Sequence, residues 1–114
     1  EKKQQCRKPW LSIFFLTFNK DYKCGEISTN KLKIKINNKL VMCKSNNKDR
    51  YNRFIAECFK DKININKWMI SNGYAVAYRK YSKKFISQEN LAKKEKLGIW
   101  VGTFEMPWEW RKKN

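Results

Sequence analysis

Histidine is absent from this 114-residue chain, and that absence removes several kinds of chemistry at once. There can be no Ser-His-Asp triad, no imidazole base and no zinc site of the His2Cys2 type. Acidic residues are scarce: ten Asp and Glu stand against 27 Lys and Arg, and the only Asp are 21, 49 and 61. The net charge of +17 sets aside functions of the metal-buffer kind. Long apolar runs are missing too. The longest, WLSIFFLTF at 10–18, has nine residues where about twenty are needed, so no transmembrane segment is expected. The length allows one small domain over 1–114, expected to be a monomer.

What is present is basic and aromatic. Aromatics make up 15% of the chain, enough to build a core in spite of the charge. The basic excess has two readings. A small domain this positive is drawn to polyanions, nucleic acid first and anionic membrane second. Alternatively, A/T-rich coding has decorated the surface with Lys, which accounts for 22 of the 27 basic residues. The five Arg (7, 50, 53, 79 and 111) are more informative, because such drift works against them.

Cysteines stand at 6, 24, 43 and 58, with no CxxC pair. An even count without that spacing argues for bridges over zinc. Of the three connectivities, Cys6–Cys24 with Cys43–Cys58 is preferred, since each closes a short loop; four buried thiols are the alternative. Bridges imply an oxidising compartment and an exported protein, periplasmic or extracellular. Lys2-Lys3 and Arg7-Lys8 before the apolar run have the look of a signal peptide, but no small-x-small cleavage site follows. A retained segment packed under the Cys6–Cys24 bridge is the better reading.

Residues 7–23 read as a loop or insertion with an apolar middle. Residues 26–36 are ambiguous, for Leu32, Ile34 and Ile36 alternate with lysines as in a strand, while Ile27, Lys31 and Ile34, or Ser28, Leu32 and Ile36, permit a helix. Short strands are expected over 40–43 and 54–59, joined by a polar connection over 45–52. If Cys43 faces Cys58, then Met42 lies opposite Phe59 and Lys44 opposite Glu57, an apolar pair and an opposite-charge pair. Asn64-Ile65-Asn66 caps a helix carrying Trp68, Met69 and Ile70 that stops at Asn72-Gly73. A second helix is expected over 87–96, with Ser87 as N-cap, Leu91 and Ala92 inward, and Gly98 closing it. The tail, Pro107-Trp108-Glu109-Trp110-Arg111, is too aromatic to be free and should dock on the domain.

Lys48-Asp49-Arg50-Tyr51-Asn52-Arg53 is the most distinctive segment. It sets two guanidiniums and a phenol on a loop entering a strand, with Asn52 able to take positive φ between them. Arginine suits phosphate because its planar fork engages two oxygens and stays charged. Asp49 is suited to buttressing an Arg. Taken alone, the segment reads more readily as a hairpin loop with solvated charges.

It does not stand alone. D-R-Y-N-R, A-x-C, I-N-x-W-M-x-x-x-G-x-A-x-A-Y-R-x-Y-S, A-K-K-E-K-L-G-I-W and P-W-x-W-R follow one another in order. This series resembles the staphylococcal-nuclease-like (thermonuclease) family, from about Glu1 and clearly from Cys24 to Arg111, and the cysteines are similar to those of its disulfide-bridged, exported branch. The resemblance implies an α+β fold: part of an OB-type barrel with about three helices, its first strands upstream, the chain being the C-terminal two-thirds of such a domain. It also implies that 26–36 is helical.

For function, the resemblance implies hydrolysis of DNA or RNA phosphodiester bonds. Arg50 would bind phosphate, Tyr51 would contact a nucleotide, and Arg53 would be the catalytic Arg, with Asn52 where the family has Gly. Glu1 sits where the family's catalytic Glu closes an Asp-(Thr/Ala)-Pro-Glu motif. Tyr78 and Tyr81 resemble its nucleotide-pocket tyrosines. The family's Ca2+ is held mainly by Asp residues upstream of that Glu, and Asp21, Asp49 and Asp61 do not match those motifs, so residues 1–114 alone are expected to hold no metal and not to cleave. A non-catalytic nucleic-acid-binding module is the second reading. A disulfide-stapled structural or adhesion protein is a third, but it leaves Arg50–Arg53 without a purpose.

Overall fold

The computed structural model describes residues 4–13, 16–78 and 83–113, with side chains described for these apart from 10–13, 16–19 and 46. The fold is α+β with an open sheet, in keeping with part of an OB-type barrel. Strands β1 (Cys6–Ile13) and β2 (Leu16–Tyr22) form an antiparallel hairpin. Helix α1 (Cys24–Ile36) follows, then β3 (Met42–Lys48), β4 (Phe54–Lys60) and the two-residue β5 (Ile63–Asn64), in the order β3-β4-β5. Helices α2 (Ile65–Ser71) and α3 (Ile86–Lys94), a 3-10 turn (Gly98–Val101) and α4 (Pro107–Lys113) complete it. Four α-helices are thus present among the described residues where about three were expected, because the aromatic tail is itself helical. Pro107 opens α4, its fixed φ suiting a first helical position, and three cations fill the last turn.

The apolar stretch expected as a loop over 7–23 is the β1–β2 hairpin instead. Long-range pairing decided this: Cys6 sits opposite Tyr22 and Arg7 opposite Asp21. The register slips between Pro9 and Leu11, and proline, lacking an N–H, accounts for a ladder irregularity there. The hairpin is fastened to the rest by the Cys6–Cys24 bridge and by Arg7 and Thr103, which exchange N–H···O bonds of 2.8 Å.

Residues 26–36 lie within α1, and the Ser28–Leu32–Ile36 stripe is the one half-buried, while Ile34 is exposed. Asn37 and Asn38, with φ of 51° and 57°, end it. The β3–β4 register is the expected one: Met42 opposite Phe59, Cys43 opposite Cys58 and Lys44 opposite Glu57, with Cys43 and Cys58 bridged. The charge pair does not form, however. Lys84 donates to the Glu57 carboxylate at 2.9 Å, Asn64 adds a second hydrogen bond, and the Lys44 ammonium lies over the Phe59 ring. The expected connection over 45–52 is also shorter, since β3 runs on to Lys48.

In α2 the Asn64 side chain caps by accepting from Lys67 N at 3.1 Å. The Asn66 amide meets the β4 backbone, donating to Ala56 O and accepting from Cys58 N, which docks the helix on the sheet. α3 departs from expectation at both ends. Ser87 lies inside it, and Phe85 precedes it without a side-chain cap. Lys96, at φ 55°, takes the left-handed position beyond the helix, with Leu97 N donating to Ala92 O. Ala92 is buried as expected, but Leu91 is exposed; the other buried α3 residue is Glu89, which accepts from Ala77 N at 3.0 Å.

Gly98 serves a different purpose from closing α3. Gly73 and Gly98, both at positive φ, let two backbones meet, with Ile99 N donating to Gly73 O at 2.9 Å. A Cβ on Gly73 would lie 2.1 Å from Leu97 O. Gly73→Ala is therefore expected to cost about 2–3 kcal/mol, a fall of roughly 10 °C in Tm by thermal denaturation.

Candidate nucleic-acid interface

The β3–β4 turn is organised by one carboxylate. Asp49 Oδ1 accepts from the backbone N–H groups of Tyr51 (2.9 Å) and Arg53 (3.0 Å), while Oδ2 accepts from Arg53 Nε at 2.7 Å. The backbone closes the same loop, with Asp49 N donating to Arg53 O and Asn52 N to Asp49 O. Asn52 holds φ 65°, the left-handed position where Asn replaces the more usual Gly. These bonds to its charged form, led by the Arg53 N–H, hold the Asp49 carboxyl below the usual carboxylate range.

Exposure separates the two partners. The Asp49 side chain is 7% exposed and the Arg53 side chain 72%, so the acid is enclosed and the cation presented. The Arg50 and Arg53 guanidinium carbons lie 4.9 and 5.2 Å from the Tyr51 ring centroid, sharing one aromatic face system. Asp49→Ala is expected to release the turn, and hydrogen exchange at Tyr51 and Arg53 should quicken about tenfold. The lowered pKa gives the pH sign. The clasp is intact above the ordinary carboxylate range and opens only as pH falls through the depressed value.

This turn is one wall of a groove of about 590 Å³ lined by Arg50, Tyr51, Arg53, Tyr78, Trp108, Arg111 and Lys112. Buried Glu89 holds Ala77 N–H next to Tyr78, whose ring stacks on Trp108 at 5.0 Å between centroids. The structure thus brings together four of the expected site residues: Arg50, Tyr51, Arg53 and Tyr78. Glu1 and Tyr81 lie outside the described residues. Trp108, Arg111 and Lys112 were not anticipated here, although the aromatic-basic P-W-x-W-R run was the available signal. Not all the Lys charge faces a ligand: Lys35 lies over Trp68 and Lys93 over Trp100.

A groove that interleaves cations with aromatic rings fits a polyanion carrying planar bases. The family model for staphylococcal nuclease homologues matches residues 7–102. The succinoglycan biosynthesis protein ExoI of Rhizobium meliloti (strain 1021) is 34% identical over 83 residues, covering 70% of this chain and 44% of that protein. The probable staphylococcal-like nuclease CAN3 of Oryza sativa subsp. japonica is 31% identical over 91 residues, 77% of this chain and 24% of that protein. An uncharacterized endonuclease of Escherichia coli is 30% identical over 91 residues, covering 76% and 60%. The chain thus spans less than two thirds of each of these relatives. With its family model matched across most of its length, the chain belongs to the staphylococcal nuclease homologue family.

Proposed function

We propose that this groove is the arginine-bearing wall of a phosphodiester-hydrolysing site, and that the intact protein is a nuclease acting on DNA or RNA. The observation that carries the reading is the Asp49–Arg53 clasp, which fixes a guanidinium by one edge while leaving it open to solvent. Relatives named as nucleases support it.

In this reading Arg53 neutralises the charge that builds on the phosphoryl oxygens, a role best filled by a donor held in place beforehand. Arg50 holds phosphate, and Tyr51, Tyr78 and Tyr81 contact the nucleotide. Glu1 is the general base that takes the proton of the attacking water.

The described carboxylates do not fit a calcium site. Asp49 commits both oxygens to Arg53 and the turn, and Asp21 pairs with Arg7. Among the described residues no three acidic or cysteine side chains converge. In this reading the family's Ca2+ is held by residues outside those described. The same observation favours, as the second reading, a non-catalytic nucleic-acid-binding module. The two disulfides suit an oxidising compartment, so export to the periplasm or the outside, as a monomer, belongs to the proposal. No described helix is long and apolar enough to cross a membrane.

Two measurements on residues 1–114 test this. DNA affinity should fall steeply with salt as counterions are released, and a flat response would remove the basic groove as the contact. A plasmid-nicking assay with Ca2+ against chelator should show no Ca2+-dependent cutting, and strong cutting would overturn the metal assignment.

A further inference from the structure

The groove has a wall that the mechanism leaves unused. Helix α4 contributes Trp108, Arg111 and Lys112 to it, and Trp108 and Arg111 also line the adjoining cavity of about 340 Å³. That cavity is walled mainly by apolar and aromatic groups, among them Val76, Ile99 and Phe104. Its volume falls at the lower end of the range for small-molecule pockets.

The three cations of α4 are not equivalent. Lys113 is held by Glu105 at 2.8 Å, and Lys112 lies 3.7 Å from Glu109. Arg111 has no carboxylate partner among the described residues. A cation in a last helical turn is favoured by the helix dipole alone. The dipole does not explain why the uncommitted one is an arginine where an apolar cavity meets a groove already carrying Arg50 and Arg53.

We infer that α4 forms a second nucleotide subsite for single-stranded nucleic acid. Arg111 takes the phosphate next along the strand from the one held by Arg50 and Arg53, and the attached nucleobase enters the apolar cavity beside the Tyr78–Trp108 stack. The strand is single because a base must leave its pairing partner to enter a cavity. This inference rests on the reading of the groove as a phosphate site, and its test separates the two.

Binding of three probes to residues 1–114 is measured: a nucleoside 5′-monophosphate, a thymidylate tetramer, and the all-abasic tetramer. Arg111→Gln should weaken the thymidylate tetramer about tenfold and the monophosphate, which has no second phosphate to offer, less than twofold. It should also reduce the slope of log affinity against log salt by about 0.7, the value for one phosphate contact on a single strand. Ala75→Leu, which adds bulk to the cavity wall, should weaken the thymidylate tetramer about tenfold and leave the abasic tetramer unchanged. The smaller Ala75→Val should give the same pattern at reduced size, with the unfolding midpoint reporting on the fold. Tetramer affinity unchanged in Arg111→Gln would overturn the phosphate contact, and unchanged in both Ala75 variants it would overturn the base pocket. Arg50→Gln should weaken all three probes; if it weakens none, the groove reading itself fails, whatever Arg111 does.

Discussion

Arg53→Lys is expected to lower phosphodiester cleavage by the intact protein at least about a hundredfold in kcat, while the DNA affinity of residues 1–114 falls less than about tenfold. The split follows from the geometry. Asp49 holds Arg53 through Nε, so the guanidinium plane is fixed by one edge. A lysine keeps the charge, and so most of the attraction for a ground-state phosphate, but has no fork, so Asp49 cannot hold one edge while another faces the phosphate. The loss therefore falls on charge that develops only in the transition state. Single-turnover cleavage beside equilibrium binding measures both quantities. Equal losses in kcat and affinity would show Arg53 to be a binding residue only, and the absence of any cleavage by the intact protein would favour the non-catalytic reading.

Reduction of both disulfides is expected to remove most of the stability of the domain. The bridges join residues 18 and 15 apart, and loops of that size are worth about 3 kcal/mol each in the chain-entropy account. Together, at about 6 kcal/mol, they exceed the lower end of the 5–15 kcal/mol typical of a whole domain. The core cannot make up the difference. Its buried apolar residues among those described are Cys6, Cys24, Ile65, Ile70, Ala77 and Ala92, two of them the halves of one bridge. A reducing agent should therefore lower Tm by roughly 20 °C or more.

The bridges should also differ. Cys6 and Cys24 are buried and tie the β1–β2 hairpin to α1, so replacing both with Ala leaves a cavity as well as a freed loop. Cys43 is exposed, and it joins strands that are already hydrogen-bonded to each other. Paired Cys→Ala variants compared by chemical denaturation should show the larger loss at 6 and 24. Four titratable thiols in the unreduced protein would contradict this and, with it, the oxidising compartment.

Legibility in the sequence followed the range of the interactions involved. The β3–β4 register was readable because Cys43 and Cys58 are close in sequence and fix the pairing of their neighbours. A cap within Asn64-Ile65-Asn66 was readable for the same reason, the acceptor on Asn64 serving an N–H three residues on. The Asp49–Arg53 clasp, too, spans only four residues. Where the deciding contact was distant, the local pattern misled. Lys44 and Glu57 face each other in register, but Lys84, 27 residues beyond Glu57, takes the carboxylate. Leu91 reads as a core residue beside Ala92, yet Glu89 occupies the buried position because Ala77 N–H needs an acceptor.

By itself, then, the sequence determined the things that depend on neighbours along the chain: a basic, histidine-free domain, two short disulfide loops, and an arginine turn with its own carboxylate brace. Only the tertiary structure decided what meets what. It made the apolar stretch after Cys6 a paired hairpin, it turned Gly73 and Gly98 into a backbone crossing, and it set Trp108 and Arg111 beside Arg50 and Arg53. Hydrogen bonds within a turn are encoded by residue type and spacing, whereas a groove wall from α4, more than fifty residues from Arg53, exists only once the intervening chain has packed.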